Sequence, residues 1–325
     1  MKRSLLLLLL LSASVLALAV GLATGSSGFE PVAVWQSLAG DSNPMLRDIV
    51  LELRLPRVSA AFGTGAALAL AGAMMQVLLR NPLADPYVLG TSGGAAVGAM
   101  LALLGGAGLL VVNGAALAGA LLSTLVVFAL AQTGSNRSPG RLLLTGVVIA
   151  AGWGALITLL LATAPDSSLR SMLFWLMGDF SYAASPWPSL LLAAVAGAAG
   201  YLLAPALNVL ATGDRQAALL GVAVGPARGA LYVGSSLLTA VAVTTAGTVG
   251  FVGLVVPHLV RLLGDSDHRT VMPAVVLAGG SLVVIADTLA RSVLAPRQLP
   301  VGAITAMIGV PIFLLLLRRL NGQLR

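Results

Sequence analysis

In a chain this poor in charge, each ionisable side chain is a candidate for chemistry, and the first to weigh is Asp287. It is the one acid deep inside an apolar run, Val271–Leu294. A carboxylate in such a place serves either as a proton site or as the partner of a cation. Arg291 follows four residues later, one helical turn away, so an i,i+4 ion pair is available. A proton-coupled carrier needs a second intramembrane group or a relay, and none accompanies Asp287. A structural role is therefore expected, as an ion pair or as interhelical glue. The alternative is a proton-coupled secondary transporter using Asp287.

The remaining chemistry is sparse. His258 follows Pro257 inside the run Val249–Leu263, and His268 sits in the polar stretch Gly264–Arg269. Neither has metal-ligand company at helical spacing. His258 is expected to be a packed, hydrogen-bonded residue near one end of its helix. Asp265, Asp267, His268 and Arg269 are expected to form a solvated turn whose aspartates can cap the next helix. There is no cysteine, which excludes disulfides and thiolate chemistry. Lys2 is the only lysine, so a phosphate-binding loop of the G-x-x-x-x-G-K-[ST] type is impossible. No H-E-x-x-H or G-x-S-x-G occurs. No catalytic residue, metal or cofactor is expected, and the chain is not expected to be an enzyme; if ATP drives it, another subunit must bind the nucleotide. A lipid-modifying membrane enzyme is disfavoured by the lack of clustered polar residues near either interface.

Two placements of charge are unusual. Arg54-Leu-Pro-Arg57 precedes the second apolar run and Arg291 closes the ninth. These lie on the face that normally carries little positive charge. Headgroup binding or snorkelling at a helix end would account for them; an electropositive rim that docks an acidic partner is the functional reading. The second is the segment Asn208–Arg228, which holds Asp214, Arg215, Gln216, Ala217, Ala218, Leu219, Leu220 and Gly221, then a Gly-Pro turn at Gly225-Pro226. A charged front followed by apolar residues predicts a short surface helix on which something docks.

The elements that position these residues follow from composition. Hydrophobic residues make up 58% of the 325 and charged residues 9%, against about 25% charged in soluble domains. Lipid must face most of the outside. The net charge of +7 comes from arginines scattered singly between apolar runs, with no patch for nucleic acid. Runs near the span length of about 20 residues occur at Ser4–Leu22, Val58–Leu79, Gly90–Leu104, Leu109–Ala131, Leu142–Ala164, Trp187–Leu207, Gly229–Ala246, Val249–Leu263, Val271–Leu294 and Gly302–Leu317. The fold class is all-α: one integral membrane domain over 1–325 with about ten transmembrane helices. The first run is expected to be a retained span rather than a cleaved leader. With the N-terminus inside, the outer basic residues are Arg47, Arg54, Arg57, Arg170, Arg291 and Arg297. The inner set is twice as large, which satisfies the positive-inside rule and puts both termini in the cytoplasm. Small residues at Gly94/Gly98, Ala115/Gly119 and Gly114/Ala118 predict close helix packing. Two outer segments hold more than a connector: Phe29–Leu38 can lie along the membrane surface, and Leu169–Met177 is a half-helix too short to span.

In this order and spacing the motifs resemble a known family, the permeases of type II ABC importers for vitamin B12, haem and ferric siderophores. They are Arg54-Leu-Pro-Arg57 with Gly65–Gly72, Arg80-Asn-Pro-Leu-Ala-Asp-Pro86 with Leu89-Gly90, Gly250–His258 with Arg261, Asp267-His-Arg269, Asp287 with Ala290-Arg291, Leu299–Gly302, and Gly309 with Pro311. The resemblance spans nearly the whole chain. It implies the type II importer fold in a bacterial inner membrane. It implies a homodimer with a pathway between the copies, two ATPase subunits below and one periplasmic substrate-binding protein above. It places Arg54, Arg57 and Arg291 at the docking positions for that protein, and Asp214–Gly221 with the turn to Arg228 in the coupling loop, about 208–228. The cytoplasmic gate falls at Ser138, Pro139 and Gly140. ATP binding would then move the docked loop and tilt the helices, with alternating access between two bundle arrangements. The cargo implied is a metal chelate, whether corrinoid, haem or siderophore.

Overall fold

A computed structural model describes residues 3–25, 28–40, 44–132, 139–183, 185–264 and 266–323. The described residues are helical apart from turns and a two-residue antiparallel ladder, β1 (Thr24–Gly25) with β2 (Gly28–Phe29). The first span is α1 (Arg3–Ala23), followed by the surface helix α2 (Pro31–Ala39). Then α3 (Pro44–Asp48) passes through a π-helical stretch, Ile49–Arg54, into α4 (Leu55–Leu79). Next come α5 (Thr91–Leu104), α6 (Leu109–Gln132), α7 (Pro139–Thr163) and the half-length α8 (Asp166–Met177). The helix α9 (Trp187–Leu202) leads to α10 (Ala204–Thr212) and the six-residue α11 (Asp214–Leu219). The chain closes with α12 (Val224–Ala246), α13 (Val252–Leu263), α14 (His268–Ser292) and α15 (Val301–Gln323).

Among the described residues six helices are long and apolar enough to cross a membrane: α1, the continuous Pro44–Leu79 rod, α6, α7, α12 and α14. The pair α9 and α10 forms a seventh span, bent by 71°. The shorter apolar helices α5, α13 and Val301–Leu315 of α15 bring the bundle to about ten. Every run expected from the sequence is present. Three boundaries differ for local reasons. Pro205 in the first turn of α10 removes an interior hydrogen-bond donor, so the sixth span breaks at Leu203. Gly225-Pro226 is no turn: it opens α12, where proline's missing N–H has no helical partner to lose. The half-helix begins at Asp166 rather than Leu169.

The helix α4 is the axis of the bundle. From Val58 to Leu79 almost every residue is buried, and α14, α12, α9 and α13 pack around it. Backbones meet where side chains are smallest. A Cβ on Gly72 would stand 1.9 Å from the carbonyl oxygen of Gly253, and one on Gly65 would stand 2.2 Å from that of Gly279. The expected small-residue faces of α5 and α6 also meet: a Cβ on Gly94 would fall 2.3 Å from Gly119 O, and one on Gly98 would fall 2.2 Å from Ala115 O. Gly114 differs, since nothing lies within 4 Å of its Cβ position. Its pairing with Ala118 marks no helix contact within the chain.

The connection from α4 to α5 folds back into the bundle. Arg80 ends α4 in the left-handed region at φ 50°. Asn81 Oδ1 then accepts the Leu83 N–H at 2.9 Å, and Asp85 Oδ1 accepts the Tyr87 N–H at 2.8 Å. These two side-chain-capped turns carry Tyr87 to Val249, whose carbonyl accepts its hydroxyl at 3.1 Å, and bring Gly90 O to Ser123 Oγ at 2.8 Å. Because α5 starts inside the bundle, 14 residues suffice for it.

Charge sorts cleanly between the two ends. Arg3 pairs with Asp267 and Arg228 with Asp214 at the cytoplasmic end; Arg54 pairs with Glu30 and Arg57 with Asp287 at the outer end. Each of these arginines lies in the set assigned to its side by the loop charges.

Candidate functional site

At the outer end four elements converge on Asp287. The side chain is only 1% exposed. Arg57, two residues into α4, donates from Nε at 3.1 Å to each carboxylate oxygen and from Nη2 at 2.8 Å. Arg291 lies 3.4 Å away through Nε, the i,i+4 pair expected from the sequence. Arg57 also stands 3.8 Å from Asp179, and its Nη1 donates at 3.4 Å to Ser181 and Gln298. Arg291 donates through Nη1 to Thr24 O at 2.7 Å and through Nη2 to Gly21 O, joining α14 to the end of α1. Arg54 is positioned by the π-helical stretch and donates to Glu30 at 2.9 Å and to Leu22 O at 3.3 Å.

This geometry corrects the expectation of an electropositive rim. Arg54 and Arg291 are 9% and 7% exposed, and three carboxylates of the same chain, Glu30, Asp179 and Asp287, offset the three guanidinium groups. Exposed positive charge at this end belongs to Arg47, Arg170 and Arg297. The polar cluster held to be missing near the interfaces is therefore present, as an ion-paired network. Glu30, Asp179, Ser181 and Gln298 carried no local signal, because their partners lie 24 to 241 residues away.

At the cytoplasmic end α11 is a short shelf. Asp214 anchors it, held by Arg228 at 2.8 Å with Arg80 at 3.9 Å, and Ala217 is buried beneath it. Arg215, Gln216, Ala218 and Gly221 face outward, and Leu219 and Leu220 are 80% and 70% exposed. Next to the shelf, Asp267 caps α14 by accepting the Arg269 N–H at 2.9 Å. Asn208 donates to Asp267 and accepts from the His268 N–H, both at 2.9 Å. His268 is thus buried rather than part of a solvated turn, and Asp265 lies outside the described residues. His258 is packed as expected, but its Nε2 finds no hydrogen-bond partner among the described residues. Of the gate positions, Ser138 lies outside the described residues. Pro139 opens α7, and Gly140 in its first turn is exposed.

A seam inside the bundle links the half-helices. The Gly178 carbonyl accepts the Val301 N–H at 2.9 Å, and the Ala246 carbonyl accepts the Asp179 N–H at 2.9 Å. Thr248 Oγ1 donates to Leu176 O. The ends of α8 and α12 and the start of α15 are therefore fixed to one another.

Among the described residues no group of His, Cys, Asp and Glu could hold a metal ion. A bundle of about ten spans, with its ion pairs gathered at its ends and an exposed apolar shelf at one of them, has the build of a multi-pass membrane permease. The chain belongs to the FecCD transport family, whose model matches residues 8–319, and it is a permease of the ABC importer type. The permease protein YvrB of an ABC transporter from Bacillus subtilis (strain 168) is 41% identical over 290 residues, 86% of this chain and 81% of that protein. The vitamin B12 import system permease proteins BtuC of Citrobacter koseri and Salmonella typhimurium are 38% and 39% identical, over 93% and 95% of this chain and 91% and 94% of theirs. Among solved structures, the inward-facing conformation of a metal-chelate type ABC transporter superposes with a TM-score of 0.82 at 29% identity, covering 96% of this chain and 98% of that one.

Proposed function

We propose that this chain is the conduit through which a metal chelate passes from periplasm to cytoplasm across a bacterial inner membrane, driven by two ATPase subunits that dock on α11. The observation that carries this reading is the shelf itself. Two leucines, one closing and one following a short helix braced from behind by Asp214 and Arg228, are left exposed. Exposed apolar residues so placed await a protein partner, and a chain without a phosphate-binding loop needs one to supply ATP. A charge at Leu220 should keep the bundle intact and uncouple hydrolysis from uptake. Leu220→Asp reconstituted with the ATPase is expected to lose most substrate-driven ATP turnover; a wild-type coupling ratio would overturn the assignment.

The relatives named for vitamin B12 import make a corrinoid the first cargo to test, before haem and ferric siderophores. Titration of the cognate periplasmic substrate-binding protein with each chelate decides among them. That protein is proposed to dock over Arg57, whose Nη1 reaches Ser181 and Gln298 at the surface. Its carboxylates would replace those neutral partners, while Arg54 and Arg291 brace the site from below. A second copy of the chain is proposed against the outward face of α7, which is exposed and has open space at Gly152 and Gly154. The pathway and its gate near Pro139 and Gly140 would lie between the two copies. The proton-coupled alternative is disfavoured, because Asp287 is bound to two guanidinium groups and has no relay.

A further inference from the structure

The cytoplasmic ends of α4, α10 and α13 and the start of α14 border an open cleft of about 280 Å³. Its wall includes Arg80, Arg261, His268, Gln76, Asn81 and Ser266, and among the described residues no carboxylate contributes to it. The charges in this wall are not balanced from within. Arg261 donates to the neutral Oε1 of Gln76, and among the described residues no carboxylate pairs with it. Arg80 has its nearest carboxylate, Asp214, at 3.9 Å, and that group is already held by Arg228 at 2.8 Å. A guanidinium cannot shed its proton, and removing it from water without a counter-charge is costly.

A second, independent feature points the same way. His268 is 3% exposed and its Nδ1 lies 2.6 Å from Asn208 Oδ1. That oxygen also accepts the His268 N–H, while the Asn208 amide nitrogen donates to Asp267. Asn208 Oδ1 is therefore an acceptor and Nδ1 carries the proton. The opposite nitrogen, Nε2, is buried and has no partner among the described residues. A neutral ring nitrogen of this kind accepts, either from the P–OH of a free phosphate or phosphate monoester or from a hydroxyl of a glycerol headgroup.

We propose that this cleft binds the phosphate of an anionic ligand, with Arg261 and Arg80 as the charged donors and His268 Nε2 as the third contact. Two sources share that chemistry: the headgroup of an anionic phospholipid in the inner leaflet, and a phosphate-bearing solute of the cytoplasm. Occupancy would draw Arg80 from Asp214, so the site adjoins the anchor of α11; that consequence rests on the docking role proposed for the shelf, whereas the binding itself does not.

The test is calorimetric titration of the purified full-length chain in neutral detergent. The probes are inorganic phosphate, dihexanoyl phosphatidylglycerol and dihexanoyl phosphatidylcholine. Saturable binding of phosphate or of the glycerol lipid at one site per chain is expected, weakened at least tenfold in Arg261→Gln and in Arg80→Gln. Binding of phosphate identifies a soluble ligand; binding of phosphatidylglycerol without phosphate identifies a headgroup site. Arg80 is partly exposed, so its variant tests the site even if Arg261→Gln fails to fold. The proposal is overturned if neither anion binds, if the choline lipid binds equally well, or if the Arg80 variant binds like wild type. Cross-linking an acidic residue of the docked ATPase to Arg261 would also overturn it, since a protein carboxylate would then be the missing counter-charge.

Discussion

Asp287 holds one negative charge between Arg57 and Arg291 in a site nearly closed to water, and the consequences of changing it follow from that burial. Asp287→Asn leaves two guanidinium groups facing each other, and a loss of about 3–5 kcal/mol is expected from breaking a buried pair on one side. Adding Arg57→Gln removes the stranded charge, so the double variant should be more stable than the sum of the single changes predicts. Unfolding of the four proteins in detergent measures this coupling, and additive behaviour would remove Arg57 as the principal partner. Asp267 gives a different response because it lies at the solvent edge. The Asn208 amide and then the Arg269 N–H hold its carboxyl below the usual carboxylate range. A depressed folded pKa contributes stability above the unfolded value of about 3.9, and that contribution fades as pH falls through the lower folded value. The difference in unfolding temperature between wild type and Asp267→Ala should therefore be full at pH 6 and shrink toward pH 3. A gap unchanged by acid would mean that the charge of the cap is irrelevant.

At the scale of elements, close approach of backbones decides tolerance. The helices α4 and α13 touch through Gly72 and Gly253, with no room for a Cβ on either residue. Lipid supplies no hydrophobic drive between helices, so fit supplies the association. Gly72→Val should abolish accumulation of folded protein, whereas Gly114→Ala should be neutral because that position opens onto empty space. Size-exclusion profiles of the two variants make the comparison, and equal recovery would contradict the packing described. The half-length helices obey a related constraint. At about 1.5 Å per residue, the 12 residues of α8 or of α13 cover only part of the membrane thickness. The seam through Gly178, Ala246 and Val301 lets the backbone between such pieces satisfy its polar groups inside protein, as lipid demands.

For the whole molecule, the exposed face of α7 is the point at which assembly can be tested. The chain has no cysteine, so a single introduced thiol reports proximity without background. Gly152→Cys should cross-link two copies in membranes if α7 lines a shared pathway, while Leu8→Cys on the exposed face of α1 should not. The reverse pattern would move the proposed interface to another helix. The shelf at α11 and the anchored arginine at Arg57 lie at opposite ends of α4 and its neighbours.

The order of the spans and their number, about ten, were legible from residues alone, because exclusion of charge from hydrocarbon writes each span as an apolar run. The Asp287–Arg291 pair was legible too, since four residues on a helix is a local distance. The break at Leu203 and the helical start of α12 depended on how prolines fell within a turn, which run length does not show. The third dimension decided the rest. Arg57 joins Asp287 across 230 residues, and Arg54 meets Glu30 only because a π-helical stretch turns it inward. His268 is buried by Asn208, a residue from another span. Hydropathy is a sum over neighbours in the chain, whereas whether a charge is bare or balanced depends on neighbours in space. The arginines at the outer end could thus be located from sequence, but their neutralisation could not.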